Sequence, residues 1–190
     1  KLALTPLSAW GKEYKAPEGE VDSSIDMKTP PREQVNRMDA KAFFSRLAML
    51  MKDNPPAEAD APMVEKMARL GIVPGREFDV SKLDPAVARA LEDGHRAGLE
   101  KIQAEIPRLG KEVNGWRITM TGEYGTDYLF RSAIAFAGLG ANLAKDASYP
   151  TAQVDAEGKP LDAAANRYVW HFPSKDDLPP VNGFWSLTMY

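Results

Sequence analysis

The stretch "NGWRITMTGEYGTDYLFRSAIAFAGLG", Asn114 to Gly140, holds two periodicities side by side. Trp116, Ile118 and Met120 alternate with Arg117, Thr119 and Thr121, a period of two that marks a half-buried strand. Gly122 to Thr126 reads as a turn, and Asp127 to Leu139 as a strongly apolar helix. Strand and helix therefore stand next to each other in one chain, and the pattern on either side decides how they are grouped.

Upstream the pattern is helical. Asp39 is placed to cap a helix over Ala40 to Lys52, whose Phe43, Phe44, Leu47, Leu50 and Met51 form one apolar stripe. Asn54, Pro55 and Pro56 stop it, because proline lacks a donor and restricts the residue before it. A shorter helix is expected from Ala61 to Leu70, with Asp60 as cap and Gly71 as left-handed terminator. A third runs from Asp84-Pro85 to Ile106, where Pro107 ends it. Its Gly94 and Gly98 form a smooth groove on which another backbone is expected to pack. The first thirty residues, broken by Pro6, Gly11, Pro17, Gly19 and Pro30, read as an extended arm with Trp10 and Tyr14 set against a neighbour, or else as a mobile terminus. Met38, Met51, Met63 and Met67 sit at helical spacing and read as core filling.

Downstream the pattern is that of strands. Asn142 to Pro150 is loop, Thr151 to Val154 strand, Asp155 to Pro160 turn, and Arg167 to Phe172 and Gly183 to Tyr190 two further strands. Four short strands do not close a sandwich or barrel, so further strands are expected from outside this sequence. The chain begins at Lys1 and ends inside a strand-like run, and is expected to be an internal fragment of a longer protein. The fold class is α+β: an extended arm or linker (1–30), a helical region (31–110), and the start of an antiparallel, jelly-roll-like β-sandwich with one inserted helix (111–190). Such a piece is expected to expose an apolar sheet edge and to associate or remain partly molten.

With 44% hydrophobic and 27% charged residues, the composition is globular rather than disordered. The net charge of −3 and the lack of a basic run argue against nucleic acid as a partner. No apolar stretch reaches the length of a membrane span. The absence of cysteine removes disulfides, thiolate nucleophiles and Cys-ligated zinc, and suits cytosol and periplasm alike.

The segment "PPVNGFWSLTMY", Pro179 to Tyr190, resembles the hallmark strand of the bacterial proteins grouped as domain of unknown function 1214, which commonly follow a partner domain numbered 1254. "LTPLSAWG", "DMKTPP", "MKDNPP", "GIVPG", "LDPAVARAL", "NGW", "YGTDYLFR" and "NRYVWHFP" resemble the family in the same order. The resemblance implies a helical linking region leading into a jelly-roll-like domain, with the remaining domains of the parent chain as partners. It also implies a periplasmic or exported parent, with the cytoplasm left open. It carries over no catalytic residue, and no cofactor follows from it.

Candidate chemistry comes from the residues themselves. In "GEYGTDYLFR", Gly122 to Arg131, the residues Tyr124, Asp127, Tyr128 and Arg131 gather in or just after a glycine turn at a helix start. Tyr128 and Arg131, three apart, fall within mutual reach. An arginine beside two phenols suits a carboxylate or a sugar, or acid–base work. The plainer reading has Asp127 capping the helix, Arg131 pairing with it at four-residue spacing, and the tyrosines packing.

There are two histidines. His95 reads as a core or boundary residue of the third helix. His171 projects opposite Tyr168, Trp170 and Phe172, toward either a cavity or solvent. Neither histidine has a metal-ligand spacing, and no metal site is assigned. In the last strand Trp185, Leu187 and Met189 oppose Phe184, Ser186, Thr188 and Tyr190, and Ser186 has no nucleophile elbow around it. "GLGAN", Gly138 to Asn142, follows a helix rather than a strand and reads as a helix end.

Two functions remain open on this reading. One is a binding or scaffold module, holding a small polar ligand or docking partner domains, with an oligomer as one outcome. The other is a hydrolase or lyase acting in the sandwich cavity through Tyr124, Tyr128, Arg131 and His171. Convergence of His171 with Arg131 favours the second, and a packed arginine with an exposed histidine favours the first.

Overall fold

Capping chemistry and prolines set the helices. The computed structural model describes residues 4–20 and 22–189, in two units, Lys1–Gln103 and Ala104–Tyr190. In the first, helix α1 (Pro31–Asn36) starts on a proline at its first position. Helix α2 (Ala40–Asp53) starts at Asp39, whose carboxylate accepts from the Ala42 amide at 2.7 Å. Helix α3 (Ala61–Ala68) and helix α4 (Pro85–Glu105) complete the set. Asp60 is not the cap that its position suggests. It ends a 3₁₀ turn, Glu58–Asp60, and its own backbone is right-handed helical, whereas a capping residue needs the extended region. Gly71 takes φ +80° just beyond α3, as a helix terminator requires.

The core of this unit is made by α2 and by the loop that follows α3. Ala48 and Met51 bury against Ile72 and Phe78, with Phe44, Leu47, Met67, Leu70 and Leu91 packed around them. Two hydrogen bonds fasten the loop to α2: Gly75 N donates to Ala48 O at 2.8 Å, and Ser45 Oγ donates to Phe78 O at 3.2 Å. Gly75 has φ +72°, and a β-carbon there would meet the Lys52 side chain at 3.3 Å. Helix α4 joins through His95, whose ring lies 4.9 Å from that of Phe43, and through Glu92, which accepts from Ala40 N at 3.1 Å.

One expectation fails here. A β-carbon on Gly94 or Gly98 would meet nothing within 4 Å, so packing within the chain does not account for this pair. In the arm, Trp10 is 75% exposed and Tyr14 38%.

The second unit is built on a sheet of order β1-β2-β3, antiparallel throughout. Strands β1 (Lys111–Val113) and β2 (Trp116–Ile118) form a hairpin that the sequence reading missed, with Val113 opposite Trp116. Its two-residue turn is Asn114-Gly115, with φ +53° and +76°, the left-handed pair of a type I′ turn. Strand β3 (Thr151–Ala152) pairs with β2, and a single bridge, Val154 to Pro160, follows. Helix α5 (Tyr128–Gly138) buries Ala133 and Ile134 against Leu109, with Tyr124, Phe130 and Ala141 alongside.

The mixture is α+β, in a chain with five helices and one small three-stranded sheet among the described residues. The strands expected at 167–172 and 183–190 do not form ladders. Residues 166–173 and 184–189 carry no strand assignment, and Tyr190 lies outside the described residues. Strand propensity measures how well side chains fit a pleated, half-buried surface. Here the side chains do pack while the backbone finds no ladder partner. The alternation expected over Trp116 to Thr121 also breaks: Met120, past the end of β2, is 65% exposed, while Arg117 is half-buried and donates to Pro107 O at 2.6 Å.

Candidate functional site

The start of α5 gathers the glycine-turn residues. Asp127 accepts from Phe130 N at 3.0 Å and caps the helix. Its own N–H donates to Tyr124 O at 3.1 Å, closing the turn below it. Arg131 lies one turn on: Nη1 donates to Gly125 O at 3.3 Å, and the guanidinium sits 4.9 Å from the centroid of the Tyr128 ring. Tyr128 and Arg131 thus meet as their spacing requires, in a cation–π contact. Tyr124 turns its ring edge-on to Phe130 at 5.4 Å, on the rim of the small core. These contacts hold a helix start and its loop together.

His171 is exposed, between Trp170 and Phe172. Those neighbours belong to a ring cluster. Trp170 lies 5.1 Å from Trp116 of β2, 4.5 Å from Phe172 and 5.9 Å from Trp185, and Phe172 lies 5.5 Å from Trp185. Such pairs contribute about 0.5–1.5 kcal/mol each beyond their area burial. The cluster joins three stretches far apart in sequence. It remains open to solvent: Trp170 and Trp185 are each 41% exposed, and Leu187 and Met189 are more exposed still. The segment before it is fixed by Tyr168, whose hydroxyl accepts from Asp162 N at 2.7 Å.

At the other end of α5 lies a cleft of about 240 Å³. Leu109 and Ile134 form apolar wall, and Ala137, Gly138 and Ala141 keep it open by their small size. Thr119, Thr121 and Tyr149 bring hydroxyl groups. Asn142 organises this edge: its carbonyl accepts from Thr121 Oγ1 at 2.7 Å, and its side-chain amide donates to Tyr149 Oη at 2.8 Å. Sequence reasoning passed over these residues because they lie on a strand end and in a loop that only the fold brings together. A more open groove of about 310 Å³ lies in the helical unit, with Pro56, Ala61 and Val64 below and Glu58 and Glu65 beside them.

Three carboxylates titrate low, each for local reasons. Asp26 is lowered to about 2, chiefly by the hydroxyl of Thr29 and then by the amides of Thr29 and Lys28. Asp79 is lowered by the Ser81 hydroxyl and amide, and Asp22 by those of Ser24. All three close turns.

Among the described residues no three His, Asp or Glu side chains gather as a metal site would need, and no helix is long and apolar enough to cross a membrane. No curated protein and no solved structure matches the chain. The family comparison does not extend to the 1254 partner domain. Residues 146–190, which contain Trp170, Phe172 and Trp185, match the model of the family described as "Protein of unknown function (DUF1214)", and on that match the 1214 assignment of this segment rests.

Proposed function

We propose that residues 104–190 act as a scaffold-type docking module, whose aromatic face receives strand-forming polypeptide. One observation carries the reading: Trp116, Trp170, Phe172 and Trp185 are packed on one another yet left open, beside segments without ladder hydrogen bonds. Partly exposed rings beside backbone that has no ladder partner suit a chain that adds both apolar side chains and ladder bonds. On this reading the three-stranded sheet is the beginning of a jelly-roll-like sandwich, the domain boundary falls near residue 110, and the added strands complete the second layer. Asp127 and Arg131 then serve to shape the turn and start of α5, with Tyr124 and Tyr128 as their packing partners.

The hydrolase or lyase reading needs His171 to work beside Arg131. What weighs against it is that His171 stands exposed in the ring-bearing segment, while Arg131 is engaged with Gly125 and Tyr128 at the helix start.

Sedimentation velocity of the chain over a wide concentration range tests the docking role. Association that rises with concentration, and disappears in a Trp170→Ser, Trp185→Ser double variant with unchanged helical circular dichroism, is the expected result. A single monomeric species throughout, with a sharp unfolding transition independent of concentration, overturns it.

A further inference from the structure

We infer that the cleft at the C-terminal end of α5 is a binding site for a small uncharged molecule with an apolar ring and a hydrogen-bond-accepting oxygen. This is a different place and a different chemistry from the arginine-bearing helix start.

Size sets the first limit. An apolar cavity of about 150 Å³ takes up benzene. The cleft, at about 240 Å³, has room for a ring and a short substituent. The residues that keep it open are Ala137 and Ala141, beside a glycine; any of the larger apolar residues found elsewhere on α5 would fill it.

Charge sets the second. Apart from the Tyr149 phenol, no lining side chain ionises. A carboxylate or ammonium would meet no opposite charge on this lining, which gives an ion no advantage over a neutral molecule.

Hydrogen-bond bookkeeping sets the third. Thr121 has already given its hydroxyl proton to Asn142 O. Tyr149 accepts from the Asn142 side chain at 2.8 Å, so its own O–H proton remains to be donated. Thr119 brings a second hydroxyl to the same wall, next to Gly110, where a β-carbon would come within 2.4 Å of Thr119 Oγ1. The cleft therefore presents apolar wall and an outward donor, and the complementary group is a neutral acceptor such as a hydroxyl, carbonyl or ether oxygen.

Methyl NMR of the full chain tests this with benzyl alcohol and cyclohexanone as probes and benzoate as the charged control. Both neutral probes are expected to shift the Ala137 and Ala141 methyl signals at millimolar concentration, with benzoate at least several-fold weaker. Tyr149→Phe keeps the ring and removes the donor, and should weaken benzyl alcohol by roughly 2- to 10-fold, the range of one neutral hydrogen bond. Ala137→Leu, on an exposed helical position, should abolish the shift at Ala141 while the spectrum stays folded. Absence of shifts from both neutral probes overturns the site. Benzoate binding as tightly as benzyl alcohol overturns the uncharged ligand, and full affinity in Tyr149→Phe overturns the donor.

Discussion

Replacing Asp127 separates a structural role for the α5 start from a ligand-binding one. Its carboxylate accepts from Phe130 N at 3.0 Å and thereby satisfies one of the orphan donors of the first turn. Losing an N-cap of this kind to alanine costs about 1 kcal/mol, within roughly 0.5–2. A further ~0.3–1 kcal/mol comes from the negative charge near the positive end of the helix dipole. Asparagine keeps the acceptor and loses only the charge. Asp127→Ala should therefore destabilise α5 by about 1–2 kcal/mol and Asp127→Asn by less than about 1. Amide hydrogen exchange at Ala133 and Ile134, which the helix buries, reports the unit locally and needs no two-state unfolding of the whole chain. About 1 kcal/mol appears as roughly fivefold faster exchange. Equal losses in the two variants would refute the capping argument and leave the charge alone at work. No change in either would mean that other contacts hold the α5 start.

Two further outcomes follow from the helical unit. Gly94→Ala and Gly98→Ala should each stabilise it by about 0.8–1.0 kcal/mol in urea unfolding, since the new methyl meets nothing within 4 Å; destabilisation would mean that these faces are packed in solution. Asp26 titrates near 2 when folded against an ordinary 3.8, so the turn it closes is fully stabilised above the unfolded value and is lost as pH falls through the folded one. The amide signals of Lys28 and Thr29 should follow that low midpoint, and a midpoint at the ordinary carboxylate value would refute the hydrogen-bond cause.

Local rules made much of this fold legible. Asp39 and Asp127 cap where their positions say they should, Gly71 terminates α3, and Gly138 ends α5. The Asn114-Gly115 hairpin carried a signal that was overlooked, because β1 is too short and exposed to show alternation. Asp60 misled because capping depends on backbone conformation as well as on residue type. The last two strands misled for a different reason: Trp170 and Trp185 fit a sheet surface, but a ladder needs a partner that no local pattern supplies. The meeting of Tyr128 with Arg131 was readable from helical spacing. The cleft was not, because Thr119, Asn142 and Tyr149 come together only through the return of the loop onto β2.

The fastening of the loop after α3 onto α2 bears on the order in which the chain acquires structure during synthesis. Every residue of the helical core, from Phe44 to Leu91, leaves the ribosome before the first residue of the sheet. Its fastening bonds span 33 residues from Ser45 to Phe78 and 52 from Ala40 to Glu92, and all of them close within chain made before the sheet. At roughly 5–20 residues per second, translation gives this unit seconds to assemble before Lys111 emerges. The nascent chain is therefore anchored by a folded helical segment while the aromatic residues of its second half are still being added.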